Sequence, residues 1–171
     1  RQAAALGGPE AALVIASNGA LQAAIAAGLE RGAAVVSRLS DERGGGRSKA
    51  MSVDEQALAI EAAEAGALFI ASLADAHGQA AAELASIAPL VSSLKSIVSR
   101  AQLPSRVDAD LQATAAGACA AAAGALAALY RGRGPKAGLA LAAAAPHDYE
   151  SLKCLCLLLT SLPIAHPCGQ K

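Results

Sequence analysis

The chain has 171 residues, 14 basic and 14 acidic side chains, and a hydrophobic fraction of 54%. Aromatic residues make up 2% and Trp is absent, so alanine supplies most of the apolar content. The balanced charge is far from the basic footprint of a dedicated nucleic-acid binder, and the shortage of aromatics excludes an aromatic core. Because alanine favours helices but buries little area, we expect one all-helical domain over residues 1–171, packed closely around Leu, Ile and Val.

The first predicted helices follow a Gly-Gly-Pro break near the start of the chain. A short helix is predicted over 10–16, and a longer one over 20–39, with Asn18 or Ser17 as its N-cap. Apolar residues recur along the longer helix at spacings of three, four or seven. Residues 40–51 contain three consecutive glycines between charged residues, which predicts a flexible loop.

A Ser-Val-Asp-Glu sequence then marks the start of a third helix. Ser52 and Glu55 have the spacing of a capping box, and the helix is predicted to continue to about residue 74. Its predicted buried stripe consists of Leu58, Ala62, Ala65, Phe69 and Leu73, and Ile70 lies beside this stripe.

The second half of the chain repeats this order of helices. A short helix is predicted over 78–87, and Pro89 lies in the first turn of the next helix, where its missing N–H costs nothing. One face of that helix is lined by Leu90, Val91, Leu94, Ile97 and Val98. A long helix is predicted from near Val107, capped by Ser105, to Tyr130. Further helices are predicted over 136–145 and 149–162, followed by an irregular tail over 163–171.

Two phrases of similar pattern precede the long helices. Residues 16–31 and 85–100 each begin with small residues and a helix-start signal, continue with apolar residues at helical spacing, and end in arginine. Repetition of one helical unit indicates a chain built by stacking, and stacked helices usually bind partners.

The second phrase resembles the second helix of the armadillo repeat. Residues 86–94, SIAPLVSSL, have that helix's order of a small residue, Ile, Pro, Leu-Val and Leu. Residues 18–21 are similar without the proline, while 66–73 and 124–129 resemble the end of the long third helix. The resemblance covers 10–131 and implies a right-handed α-solenoid of armadillo-like repeats, either complete or a fragment of a longer array. A generic helical bundle is the alternative.

The resemblance also suggests where a partner binds. Armadillo proteins line their groove with the long third helix, which points to Glu61, Glu64 and Gln112. The helices that follow residue 18 and Pro89 also offer grooves, and their candidate contacts are Asn18, Lys95 and Arg100. The two repeated leucines Leu21 and Leu90 are 69 residues apart, whereas an armadillo unit has about 40–47 residues. The Gly-rich loop accounts for only part of this excess.

Candidate catalytic and metal-binding groups are few. Four potential zinc ligands lie in the C-terminal region: Cys154, Cys156, His166 and Cys168. However, Cys154 and Cys156 are two residues apart on a predicted helix, so their side chains point to nearly opposite sides. His77 near Asp75 and the His147-Asp148 pair invite an acid–base interpretation, yet no nucleophile motif accompanies them. We therefore expect no enzyme, no metal and no cofactor.

Two further patterns define the alternatives. Residues 111–130 form a stretch without a charged side chain, and this stretch is long enough to span a membrane. A buried solenoid helix explains the same residues. Arg131 and Arg133 begin a basic patch that suits phosphates of RNA or an acidic protein, but aromatic residues for base stacking are lacking. Membrane insertion and nucleic-acid binding therefore rank below protein binding.

The sequence thus predicts a non-enzymatic interaction scaffold, or a structural subunit of a larger multi-subunit complex. A membrane-embedded or organellar helical subunit and an RNA-associated repeat protein are the alternatives. The four cysteines form no CxxC pair, which favours a reduced, intracellular protein. It is expected in the cytoplasm or, after removal of a transit peptide, in an organelle. Because the chain begins at Arg1, we expect that an N-terminal segment was removed or that the chain is part of a longer protein.

Overall fold

The computed structural model describes residues 2–41, 51–100 and 103–133. No strand occurs in these ranges, so the predicted all-α class is confirmed for this part of the chain. The helices are α1 (Gln2–Ala16), α2 (Gly19–Ser40), α3 (Val53–Ala76), α4 (Gly78–Ser86), α5 (Ala88–Ser99) and α6 (Ala109–Arg133). Most of the predicted Gly-rich loop, the helices predicted over 136–145 and 149–162, and the tail lie outside the described residues.

Local sequence signals determine where α2, α3 and α5 begin. The Asn18 side chain caps α2 by accepting a hydrogen bond from the Leu21 N–H at 3.1 Å. Ser52 and Glu55 form the predicted capping box: the Ser52 hydroxyl accepts from the Glu55 N–H at 3.2 Å, and the Glu55 carboxylate accepts from the Ser52 N–H at 2.9 Å. Pro89 lies in the first turn of α5 as predicted. These starts are predictable because each depends on only a few neighbouring residues.

The start of α6 differs from the prediction. Asp108, rather than Ser105, provides the cap, because its Oδ1 accepts hydrogen bonds from the Asp110 N–H at 2.9 Å and the Leu111 N–H at 3.4 Å. A carboxylate at this position also suits the positive end of the helix dipole. The helix therefore begins two residues later than predicted, and it continues to Arg133.

The helices follow one order twice. A break at Gly8, whose φ is 71°, separates the first residues of α1 from its main part. The short helix that follows meets α2 at a bend of 72°, and the long helix α3 comes next. In the same way, short α4 meets α5 at a bend of 87° and long α6 follows. We call α1–α3 the first unit and α4–α6 the second unit.

Each helix of the first unit packs against its counterpart in the second unit. The contacting pairs are α1 with α4, α2 with α5, and α3 with α6. Arg100 at the end of α5 donates a hydrogen bond to Ser37 near the end of α2. Arg131 near the end of α6 forms an ion pair with Asp75 near the end of α3, at 2.9 Å. The helices of these two pairs, α2 with α5 and α3 with α6, therefore run in the same direction.

The core combines many alanines with a few large aliphatic side chains. The large side chains that are fully buried include Leu29, Ile60, Ile70, Leu73, Leu84, Leu90, Leu94, Ile97 and Leu129. Alanine and glycine between them let the helices approach closely. A Cβ added at Gly32 of α2 would overlap the Cβ of Ala63 in α3 and would lie 2.9 Å from the carbonyl oxygen of Ala59. The expectation of close helix packing is confirmed here.

The predicted buried stripe of α3 is wrong in phase. Leu58 is 67% exposed, and Ala62 and Ala65 are also exposed. The predicted Ile70 and Leu73 are indeed buried, but the other buried residues of the helix are Ala59, Ile60, Ala63, Ala67 and Ala74. The sequence misleads because alanine occurs on every side of this helix, so its positions do not identify the buried face.

Candidate functional site

The long helices α3 and α6 lie side by side and leave one face open to solvent. On each helix the exposed residues recur at spacings of three or four, as expected for one side of a helix. We call these residues the front face: Leu58, Glu61, Ala62, Ala65 and Leu68 of α3, and Ala113, Ala116, Ala120 and Gly124 of α6.

The contact between Glu64 and Gly117 shows that both exposed stripes face the same side. Glu64 is partly buried, and a Cβ added at Gly117 would lie 3.2 Å from both of its carboxylate oxygens. One turn from this contact, Glu61 on α3 and Ala113 and Ala120 on α6 are exposed. The front face is therefore continuous across the line where the two helices meet.

The front face is apolar along much of α3 and flat along α6. Leu58 is 67% exposed and Leu68 is 39% exposed, and they are two of the four large hydrophobic residues exposed in the described part of the chain. Between residues 113 and 124 the exposed residues of α6 are alanine and glycine, so the backbone of this stretch is open to close approach. Exposed leucines beside small residues are suited to receiving an apolar surface.

A pair of carboxylates interrupts this apolar surface. Glu61 lies one turn before Glu64, and Gly117 leaves room for the Glu64 carboxylate between the helices. Neither glutamate forms an ion pair within the described ranges, whereas Asp41 and Asp75 each pair with an arginine. We call Glu61, Glu64 and Gly117 the acidic notch.

Two of the three predicted contacts on the α2 and α5 side, Asn18 and Arg100, have roles within the fold. The Asn18 side chain caps α2. The Arg100 guanidinium donates to the Ser37 hydroxyl and lies 3.5 Å from the Asp41 carboxylate. Lys95 is partly buried on α5. These three residues are not brought together with the acidic notch, because they belong to helices outside the front face.

The other predicted contacts lie near the two ends of α6. The Gln112 side-chain amide donates to the carbonyl oxygens of Val107, at 2.7 Å, and Pro104, at 3.3 Å, and so it closes the preceding turn. Arg131 pairs with Asp75. Arg133 is the last residue of α6, and its side chain lies outside the described part. Of the predicted site residues, Glu61 and Glu64 are the two that lie together in the acidic notch, with Glu61 exposed on the front face and Glu64 partly buried beside it.

The residues predicted as candidates for catalysis or metal binding either have a structural role or lie outside the described residues. His77 ends α3 and begins α4, and its Nδ1 accepts a hydrogen bond from the Gln79 N–H at 3.2 Å. Cys119 is buried, with its sulfur 4.0 Å from the Val98 carbonyl oxygen. No group of three potential metal ligands occurs among the described residues. The C-terminal candidates lie outside them: Cys154, Cys156, His166, Cys168, His147 and Asp148.

Two described helices have the length and composition of a membrane span. They are Val53–Ala76 and Ala109–Arg131, whose apolar 18-residue stretches have mean hydropathy 1.6 and 1.5. The second coincides with the uncharged run identified in the sequence. The first was not identified there, because Glu61 and Glu64 interrupt its apolar residues.

The front face itself was only partly identified from the sequence. The sequence pattern places Leu58 in the core and gives no signal that Leu68 or Gly117 belongs to a surface. Leu58 is followed directly in the sequence by the buried Ala59 and Ile60. An apolar run of this kind does not show which of its residues faces solvent. No protein-family model, curated protein or solved structure matches the chain. Function is therefore inferred from the geometry.

Proposed function

We propose that this chain is a non-enzymatic protein-interaction module, built as a right-handed α-solenoid of armadillo-like repeats, that serves as a scaffold or structural subunit of a larger assembly. The repeated order of helices and the packing of each helix on its counterpart support a stacked architecture. The two sequence phrases, 16–31 and 85–100, begin at corresponding places, near the end of the short helix of each unit. The first unit is longer than the second partly because its helix α2 has 22 residues, whereas the counterpart α5 has 12.

The front face is the observation that carries the binding proposal. Complete burial of a fully exposed leucine side chain is worth about 1.5–3 kcal/mol. Covering Leu58, which is 67% exposed, would gain part of this energy, and covering Leu68, which is 39% exposed, would gain less. They lie on one helix that is held on its other sides by α1, α2, α4 and α6. Binding is favoured over chemistry because the described histidine, His77, serves as a helix cap.

Site-specific photo-crosslinking tests this proposal in the cell that makes the protein. A photoreactive phenylalanine analogue replaces Leu58 in the tagged full chain, and the matched control carries it at Val14, which is 72% exposed on α1. We expect position 58 to capture one or a few proteins reproducibly and position 14 to capture none of them. Equal capture at both positions, or no capture at position 58, would contradict the proposal.

A membrane-embedded subunit is the second candidate, and the hydropathy of α3 and α6 favours it. However, Glu61 and Glu64 lie within α3, and a charged side chain at the centre of a bilayer costs about 2.5–3.5 kcal/mol. Because α3 and α6 run in the same direction, the chain would also have to recross the bilayer between them. There α4 has 9 residues and α5 has 12, so neither alone reaches the length of a span, about 20 residues, and together they would form only a broken span with a bend of 87°.

Carbonate extraction of cell membranes separates these two candidates. Release of the chain into the soluble fraction is expected for an interaction module. Retention in the pellet, together with release of a peripheral marker protein from the same membranes, would favour the embedded subunit.

A further inference from the structure

The two glutamates of the acidic notch carry charge that the described part of the chain does not neutralise. The positions four residues after Glu61 and Glu64 hold Ala65 and Leu68, so the Glu–Lys pairs that are common on exposed helices are missing here. Both ion pairs of the described residues lie elsewhere, at Asp41 and at Asp75. The notch therefore presents negative charge to whatever covers the front face.

The other acidic residues of these two helices have a structural explanation. Asp54 and Glu55 lie in the first turn of α3, and Asp110 lies in the first turn of α6. At these positions the positive end of the helix dipole offsets a carboxylate, an effect that falls off within the first turn. Glu61 and Glu64 lie beyond that turn. Their charges are therefore available to a partner.

The order of apolar and acidic side chains along α3 indicates which kind of partner would fit the front face. Leu58 and Leu68 are separated by ten residues, which corresponds to about 15 Å along a helix axis, and the two glutamates lie between them. The neighbouring stripe of α6 consists of alanine and glycine, so a third helix packs there without a side chain in its way. This combination fits an amphipathic helix lying in a shallow groove.

We propose that the front face binds an amphipathic helix of a partner protein, with Lys or Arg side chains entering the acidic notch and apolar side chains covering Leu58 and Leu68. This inference rests on the proposed function and adds the chemistry of the partner. Opposite charge at the notch fixes the position of the helix along α3, and burial of the two leucines supplies the attraction.

Fluorescence anisotropy with synthetic helices tests the inference on the full chain. The probe is a labelled amphipathic peptide of about five turns with leucines on one face and lysines beside them; its partner probe carries glutamates in place of the lysines. We expect the lysine peptide to bind, and to bind more weakly at about 300 mM than at about 50 mM salt. The glutamate peptide is expected not to bind.

Variants assign the binding to the notch. The double variant E61Q/E64Q keeps the side-chain shapes and removes both charges, and it is expected to weaken binding of the lysine peptide about three- to tenfold. The matched control E30Q removes an exposed charge from α2 and is expected to leave binding unchanged. Circular dichroism verifies that both variants remain helical.

Several results would overturn the inference. The first two are that the glutamate peptide binds as tightly as the lysine peptide, or that E61Q/E64Q binds the lysine peptide as tightly as the unchanged chain does. The other two are that the chain self-associates and Leu58→Ala abolishes this, or that it binds vesicles of anionic lipid in preference to the peptide. The photo-crosslinking experiment separates this failure from failure of the proposed function. A partner captured at position 58 whose binding ignores E61Q/E64Q would leave the interaction module standing and refute the basic helix.

Discussion

The helices α3 and α6 occupy the same place in the two units and differ mainly on their outward sides. They have 24 and 25 residues, and both bury alanines together with a few larger aliphatic residues such as Ile70 and Leu129. Outward, α3 carries Leu58, Glu61 and Leu68, whereas α6 carries alanine and glycine. The inward sides thus pack the two units against each other, and the outward side of α3 is the part on which the binding proposal rests.

The largest expected effect separates the inward and outward sides of α3. Ile70 is fully buried, and Ile70→Ala is expected to lower the free energy of unfolding by about 2–5 kcal/mol, through lost burial and the cavity that remains. Leu58→Ala is expected to change it by no more than about 0.5 kcal/mol, because the side chain is 67% exposed. Urea denaturation followed by circular dichroism measures both. Similar losses for the two variants would refute the assignment of the front face.

Two glycines test the same contrast between a packed side and an open side. A Cβ at Gly32 would overlap Ala63 of α3, so Gly32→Ala is expected to cost about 1–3 kcal/mol through overpacking, despite the better helix propensity of alanine. No atom lies within 4 Å of a Cβ at Gly124 on α6, and Gly124→Ala is expected to gain about 0.5–1 kcal/mol. Thermal unfolding of both variants checks the opposite signs. A loss at Gly124 would mean that this side of α6 is covered.

The smallest expected effect concerns the ion pair that joins the ends of α3 and α6. The side chains of Arg131 and Asp75 are 68% and 56% exposed, so their coupling is expected to be about 0.2–1 kcal/mol and to weaken in salt. A double-mutant cycle with Arg131→Gln and Asp75→Asn measures it by urea denaturation. A coupling that is large and insensitive to salt would show that the pair is shielded from solvent.

The starts of α2, α3 and α5 were predictable from the sequence, whereas the start of α6 and most of the front face were not. Caps such as Asn18 and the box at Ser52 depend on hydrogen bonds between residues two or three apart, which the sequence displays directly. The buried side of α3 depends on which neighbouring helices cover it, and alanine occurs on every side. Glu64 was selected through the armadillo resemblance, but its contact with Gly117 joins residues that are distant in the chain and has no local signal.

The joint at His77 determines how freely the two units can move relative to each other. One residue ends α3 and begins α4, with its own N–H bonded to the Leu73 carbonyl oxygen and its carbonyl oxygen accepting from the Ala81 N–H. A flexible linker would let the units sample many relative orientations, and a partner would have to select one of them. No such linker separates α3 from α4, so the front face is held in one arrangement, and the proposed partner would lose little conformational entropy on association.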